Sequence, residues 1–234
     1  MMMRRVVILL TLLVSFGFSA SWRLSARATP ASEIPSLAVM SLVPEGENIL
    51  YAGVRGGSGV YRTGNNGANW NAYGDRLGSS DIVSMGYRDG VLYAGTWGKG
   101  VYYRSSGMSE WALGGALDSG YNYVRAMSCD SAGNLYAADP DLAIYRLESS
   151  SQTAWQRLAS TNLPGSDSIL CLFSDSDNRL YMGLLSGGVY SYAPGSSYYN
   201  GRWEAVGSLS GVEARVMIEG PDGKIWLATN AGIR

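Results

Sequence analysis

The residues best able to contact a ligand lie between the short apolar runs of this chain, not within them. Arg55, Trp97, Lys99, Asp139 and Asp141 follow runs of the form LYAG or LYAA, and Asp75, Arg76, Asp118, Tyr121 and Tyr123 precede the next units. They differ from unit to unit, as a site grafted on a repeated scaffold should. Trp97, flanked by Thr96 and Gly98, stands outside every repeated aromatic column and is the strongest single candidate. Arg125 and Arg215 share one aligned column, and Glu213 sits two residues before the second. The chain has no histidine. A Ser-His-Asp triad, histidine-ligated zinc and imidazole acid-base chemistry are therefore excluded. The acidic turn Asp175-Ser176-Asp177-Asn178 lacks the full loop spacing of a calcium site and reads as solvated turn. Neither a metal nor a cofactor is expected. The net charge of −1, with no basic run, argues against nucleic acid as a partner.

These candidates are held by a repeat. ILYAG at Tyr51, VLYAG at Tyr93, NLYAA at Tyr136, RLYMG at Tyr181 and KIWLA at Trp226 are spaced by 42, 43, 45 and 45 residues. A second apolar run follows each (Tyr61, Tyr102, Tyr145, Tyr190, Ile233), and a third column precedes it (Met40, Met85, Met127, Leu172, Met217). Trp70, Trp111, Trp155 and Trp203 form a fourth. Four columns in a fixed order, with this period, predict four-stranded antiparallel blades of an all-β propeller. The units are 37–77, 81–118, 123–163, 167–209 and a partial 212–234. In the first, strand A runs from Leu37 to Val43, B from Ile49 to Val54, C from Gly59 to Arg62 and D from Asn69 to Tyr73. Asp-Gly, Asn and Pro-Asp-Gly sequences mark the A–B turns. A residue that recurs in every blade packs blade on blade, so the four tryptophans are assigned to the framework. Cys129 and Cys171 fall at non-equivalent positions, which leaves open a disulfide or two small buried thiols.

Residues 1–28 read as an export signal: Arg4 and Arg5, an apolar run from Val6 to Phe18, then Ala26-Arg27-Ala28. At 1.5 Å per residue that run is short for a hydrocarbon core ~30 Å thick, although an uncleaved anchor reaching Trp22 is the alternative. Residues 29–36 form a linker. An extracytoplasmic location is expected, with membrane contact only through an uncleaved signal or a further C-terminal part.

Thr63-Gly64-Asn65-Asn66-Gly67-Ala68-Asn69-Trp70 resembles the Asp box of bacterial-neuraminidase-repeat propellers, with Asn65 where the Asp usually stands. The phrase around it is similar to secreted sialidase-like and photosystem II assembly-factor-like propellers. Asp222, Gly223, Ile225, Trp226 and Thr229 resemble the repeat of two-component-regulator sensor propellers. The resemblance implies a propeller from about Leu37 onward, with Asn65 and Gly67 as turn residues on the face opposite the active site. Later blades keep the Trp but lose the box. A sialidase would further need an arginine cluster and a Tyr activated by a Glu. Arg125 and Arg215 are two arginines, not three, and no Tyr–Glu pair is assignable from the sequence.

The fifth unit has A and B strands and then reaches Gly232-Ile233-Arg234. The expectation is four blades and half of a fifth, the N-terminal part of a longer propeller or a truncated frame, with missing strands supplied by the rest of the protein or a partner chain. Three functions are open. The first is a secreted, non-catalytic propeller binding a glycan or protein. The second is the extracytoplasmic sensor portion of a two-component-type signalling protein. The third is a sialidase-like glycoside hydrolase fragment.

Overall fold

The computed structural model describes residues 34, 38–115, 117, 122–159, 162–164, 167–209 and 211–234. The expected export signal 1–28, the expected linker apart from Ile34, and the loop candidates Asp118 and Tyr121 lie outside the described residues.

Five antiparallel sheets follow one another along the chain. Blade one contains β1 (Val39–Glu45), β2 (Ile49–Val54), β3 (Val60–Thr63) and β4 (Asn71–Ala72); blade two contains β5 (Ile82–Arg88), β6 (Val91–Thr96), β7 (Val101–Ser105) and β8 (Ala112–Leu113). Blade three contains β9 (Ala126–Cys129), β10 (Leu135–Ala138), β11 (Ile144–Leu147) and β12 (Gln156–Arg157). Blade four contains β13 (Ile169–Ser174), β14 (Leu180–Leu184), β15 (Val189–Ala193) and β16 (Arg202–Ala205), and blade five β17 (Ala214–Glu219), β18 (Ile225–Thr229) and β19 (Gly232–Ile233). Strands within a blade pair in sequence order, each with the next. The A strands β1, β5, β9, β13 and β17 pack one after another, and no packing of that extent joins β17 back to β1. The fold is a β-propeller with four complete blades and a three-stranded fifth, an incomplete ring.

The B strands are the centre of each blade because each is covered by sheet neighbours in its own blade and by adjoining blades. All six residues of β6 and all four of β10 are buried. Glycine at the pleat allows the next blade this close: a Cβ on Gly95 would stand 2.5 Å from Val124 Cγ1, and one on Gly183 would stand 2.5 Å from the Ala214 carbonyl. The A strands carry β-bulges at the same place in blades one, two, four and five, between Val39 and Ser41, Ile82 and Ser84, Ile169 and Cys171, and Ala214 and Val216. A bulge bends and twists its strand, and here it recurs where the strand leaves the loop end.

Three expectations are corrected. In blade one the strand runs through Pro44 and Glu45, two residues past its expected end at Val43, because both still pair with β2. Consequently Leu42, opposite Ala52, stands level with Met85, Met127, Leu172 and Met217, each opposite the residue after the B-strand aromatic, and Met40 falls in the bulge instead. The fifth blade is partial, as expected, and its Gly232 and Ile233 pair with Thr229 and Ala228 as a short third strand. The outermost strands of blades one to three are only two residues long, shorter than the Asn69–Tyr73 expected in blade one.

The D-strand tryptophans tie blades together through their indole N–H. Trp111 Nε1 donates to the Tyr73 carbonyl at 2.6 Å and Trp155 Nε1 to the Gly114 carbonyl at 2.9 Å, each three residues past the Trp of the preceding blade. Trp203 is buried against Tyr192 at 5.0 Å between ring centroids, and Trp70, in the first blade, is half-buried. In the box-like turn Asn65 Oδ1 accepts from the Asn69 N–H at 2.9 Å and from the Thr63 hydroxyl at 2.8 Å. Asn66 and Gly67 take positive φ there, 56° and 84°.

Candidate functional site at the loop end

The B strands and the chain entering the next A strand emerge at the same end of the propeller. The first residue after β2, Arg55, bridges to Asp81, and the first after β6, Trp97, bridges to Tyr123. Each bridge crosses to the segment that begins the following A strand. Sequence positions far apart are thereby brought into one cluster drawn from three blades. Trp97 and Tyr123 lie with ring centroids 4.8 Å apart and planes at 43°, and the Arg55 guanidinium carbon sits 5.6 Å from the Trp97 ring centre. Trp97 is 40% exposed, unlike the buried Trp111 and Trp203.

Local chemistry explains why Trp97 is held outward. Thr96 is buried, and its hydroxyl donates to the Gly100 carbonyl at 2.7 Å and accepts from the Lys99 N–H at 3.0 Å, closing a tight turn. Gly98 and Gly100 take φ of 97° and 77° in that turn, a region glycine occupies without strain. A Cβ on Gly98 would come 3.1 Å from the Tyr123 ring. The turn thus presents an indole, a guanidinium and, on exposed Lys99, an ammonium beside a phenol. Such a surface can stack on a ring and donate hydrogen bonds.

The other candidates are distributed differently. Asp139 is almost fully buried, and its Oδ1 accepts from the Asp141 and Ala143 N–H groups at 2.9 Å each, so it shapes the third blade's B–C loop. Arg125 and Arg215 do share a column, two residues before Met127 and Met217, with Arg215 in the bulge. They are not equivalent in environment. Arg125 Nε donates to the Ile169 carbonyl at 3.2 Å, whereas exposed Arg215 pairs with Glu213 at 2.8 Å, and all of blade four separates them in the chain. Cys129 and Cys171 are unpaired thiols, and burial pushes both up to about 12. Among the described residues, no group of three or more Cys, Asp or Glu is gathered as a metal site.

A second polar cluster, at the A–B-turn end, escaped the sequence reading. Glu45 accepts from two tyrosine hydroxyls, Tyr51 at 2.5 Å in its own blade and Tyr87 at 2.6 Å in the next. Burial, and then the hydrogen bond to Glu45, raise both phenols above their ordinary 10.0. Neither is poised as a nucleophile. The pattern recurs: in blades one, three and four the residue six before the B-strand Tyr is Glu45, Asp130 or Asp175, and its side chain bonds that Tyr hydroxyl, while in blade two Arg88, five before Tyr93, does so. In blade five the pair becomes Gly220 and Trp226, whose Nε1 would lie 2.9 Å from a Cβ at Gly220. This offset of six was visible in the sequence; the partner from the next blade was not.

No protein-family model matches the chain, and no curated protein matches it. Solved structures do. The extracellular domain of BT3049, assigned to a hybrid two component system of B. thetaiotaomicron, is 15% identical with a TM-score of 0.66, over 83% of this chain and 27% of that one. The corresponding domain of BT4673 from the same organism is 18% identical with a TM-score of 0.61, over 87% of this chain and 26% of that one. YCF48 bound to D1 peptide is 19% identical with a TM-score of 0.58, over 82% and 61%. The chain therefore spans about a quarter of the length of the two sensor-system domains and under two thirds of YCF48. At these identities the likeness shows a shared propeller fold.

Proposed function

We propose that this chain is a ligand-recognition segment of an extracytoplasmic propeller of the sensor type, and that recognition takes place at the loop end around Trp97. The observation that carries the reading is the exposed Arg55–Trp97–Tyr123 stack, built from three blades and presented by turns that differ from blade to blade. It is supported by the likeness to extracellular domains of two-component-type systems and by the basic, apolar and small-residue order of residues 1–28. Aromatic faces flanked by guanidinium and ammonium donors fit a ring carrying hydroxyls, so an oligosaccharide is the ligand class proposed. Arg125 and Arg215 are at best peripheral to it, and Asp139 acts through the loop it shapes. A chain without histidine is proposed to bind its ligand without transforming it.

An oligosaccharide array probed with the full chain tests this reading. Wild-type protein is expected to retain at least one glycan class. Trp97→Ala should weaken that binding about tenfold or more, ~1.4 kcal/mol, without lowering the melting temperature. Equal binding by the variant would remove Trp97 from the site. An alkaline phosphatase fusion after residue 28 tests the location, with activity expected in the periplasm or medium.

A further inference from the structure

We propose that the cleft between blades one and two, at the A–B-turn end, binds a phenol ring, independently of the loop-end site. The argument comes from the protein's own solution at an equivalent seam. Between blades three and four the corresponding space holds the side chain of Tyr198, from the blade-four C–D loop. Its hydroxyl lies 2.9 Å from that of Tyr136, which also bonds Asp130 at 2.9 Å. The Arg146 guanidinium lies 4.5 Å from the Tyr198 ring centre, and Tyr192 flanks that ring at 5.5 Å.

The repeat places matching residues one seam earlier. Tyr51 corresponds to Tyr136, Glu45 to Asp130 six residues before it, and Arg62 to Arg146 on the paired C strand. Arg104, eleven residues after its B-strand Tyr, corresponds to Tyr192. Blade two has no counterpart of Tyr198: its C–D connection, residues 106–111, is shorter than that of blade four and contains no tyrosine. Tyr73 fills the inner part of the space, 5.5 Å from Tyr51 and 3.8 Å below Arg104. A cavity of about 170 Å³ remains, lined by Glu45, Tyr51, Arg62, Tyr87 and Ser106 among others. The seam between blades two and three is closed in another way, by the buried Arg88, which donates to the carbonyls of Gly133 at 2.6 Å and Leu147 at 3.1 Å and to that of Ser151.

The open seam thus retains the hydroxyl, the carboxylate and the guanidinium that receive a phenol at the filled one. A phenol suits it because Arg62 and Arg104 line the cavity beside Glu45, which already accepts from the Tyr51 and Tyr87 hydroxyls. The wall thus offers both cationic faces for a ring and hydroxyl oxygens for its O–H. A ring entering beside Arg62 gains a cation–π contact, and its hydroxyl reaches the Tyr51 and Tyr87 oxygens. The same chemistry is carried by a free phenol and by a tyrosine side chain of a peptide.

The test is titration of the full chain with 4-methylphenol and, separately, with Gly-Tyr-Gly, followed by calorimetry and NMR. One site is expected in wild type for at least one of the two probes, and the stronger of them identifies the source. Ser106→Trp, which fills the cleft from its exposed rim, should reduce that affinity at least about tenfold. Tyr198→Ala should add a second site for 4-methylphenol by emptying the other seam. Cyclohexylmethanol should not bind. The proposal is overturned if wild type takes neither phenol, if Ser106→Trp binds as wild type does, or if the saturated alcohol binds equally. If Tyr198→Ala does not fold, nuclear Overhauser contacts between the cresol methyl and the Tyr87 ring in wild type decide, their absence being contrary.

Discussion

Blades two and five are written with nearly the same phrase and end in different physical states. In blade two every residue of β6 is buried, whereas in blade five Leu227 is the buried residue of β18, Trp226 is 46% exposed and Ile233 is 76% exposed. Composition does not explain this, since IWLAT is at least as apolar as VLYAGT. Among the described residues, blade two has a packed neighbour on each side, and blade five has one, blade four. The difference teaches that the repeat supplies a surface, and that the adjoining repeat converts it into a core.

The comparison is broken most forcefully by truncating the matching aromatic in each blade. Tyr93→Ala removes a fully buried ring together with its hydrogen bond to Arg88 and should cost about 3–5 kcal/mol, whereas Trp226→Ala should cost about 1 kcal/mol or less, read from urea midpoints at constant m-value. Equal costs would contradict the neighbour argument.

A smaller effect is expected at the following pleat position, where blade two has Gly95 and blade five Ala228, each two residues past its aromatic. Gly95→Ala must displace Val124 and should cost about 1–3 kcal/mol, while the reverse change Ala228→Gly should cost less than about 1 kcal/mol.

The thiols sharpen the same contrast kinetically. Cys129 lies at the seam between blades two and three, and Cys171, bonded to the Ala214 carbonyl at 3.4 Å, at the seam with blade five. Both are held protonated to about 12, so a difference in reactivity must come from opening. Cys171 should react faster with a thiol reagent at pH 8, in a labelling time course resolved by mass spectrometry.

The smallest effect is on pH. A thiol whose pKa is raised from 9.0 by folding keeps its proton more tightly in the native chain. The stability it contributes is complete below 9 and is lost as pH rises toward 12. Melting temperature should therefore decline above about pH 9, and less steeply in Cys171→Ala than in wild type.

The blades were legible in the sequence because their packing positions recur: Tyr51, Tyr93, Tyr136, Tyr181 and Trp226 placed all five B strands. Strand A of blade one was misread by two residues, since a bulge has no sequence signature when Met40 and Leu42 are both apolar. The third strand of blade five is a glycine and an isoleucine, too short to show a period. At the site, Trp97 stood out because it broke the aromatic columns, but its contact with Tyr123 depends on a bridge between blades. The Glu45–Tyr87 pair lies 42 residues apart, and only the stacking of blade one on blade two brings it together. Arg125 and Arg215 show the converse: a shared column does not give a shared environment.

The most direct test is native-state hydrogen exchange of β6 and β18 in a single sample of the full chain. The account predicts that β6 amides exchange only through global unfolding, while β18 amides open locally with protection lower by about 2 kcal/mol or more, roughly a thirtyfold difference. Equal protection of the two strands would contradict it, because burial of a blade would then not depend on having a neighbour on each side.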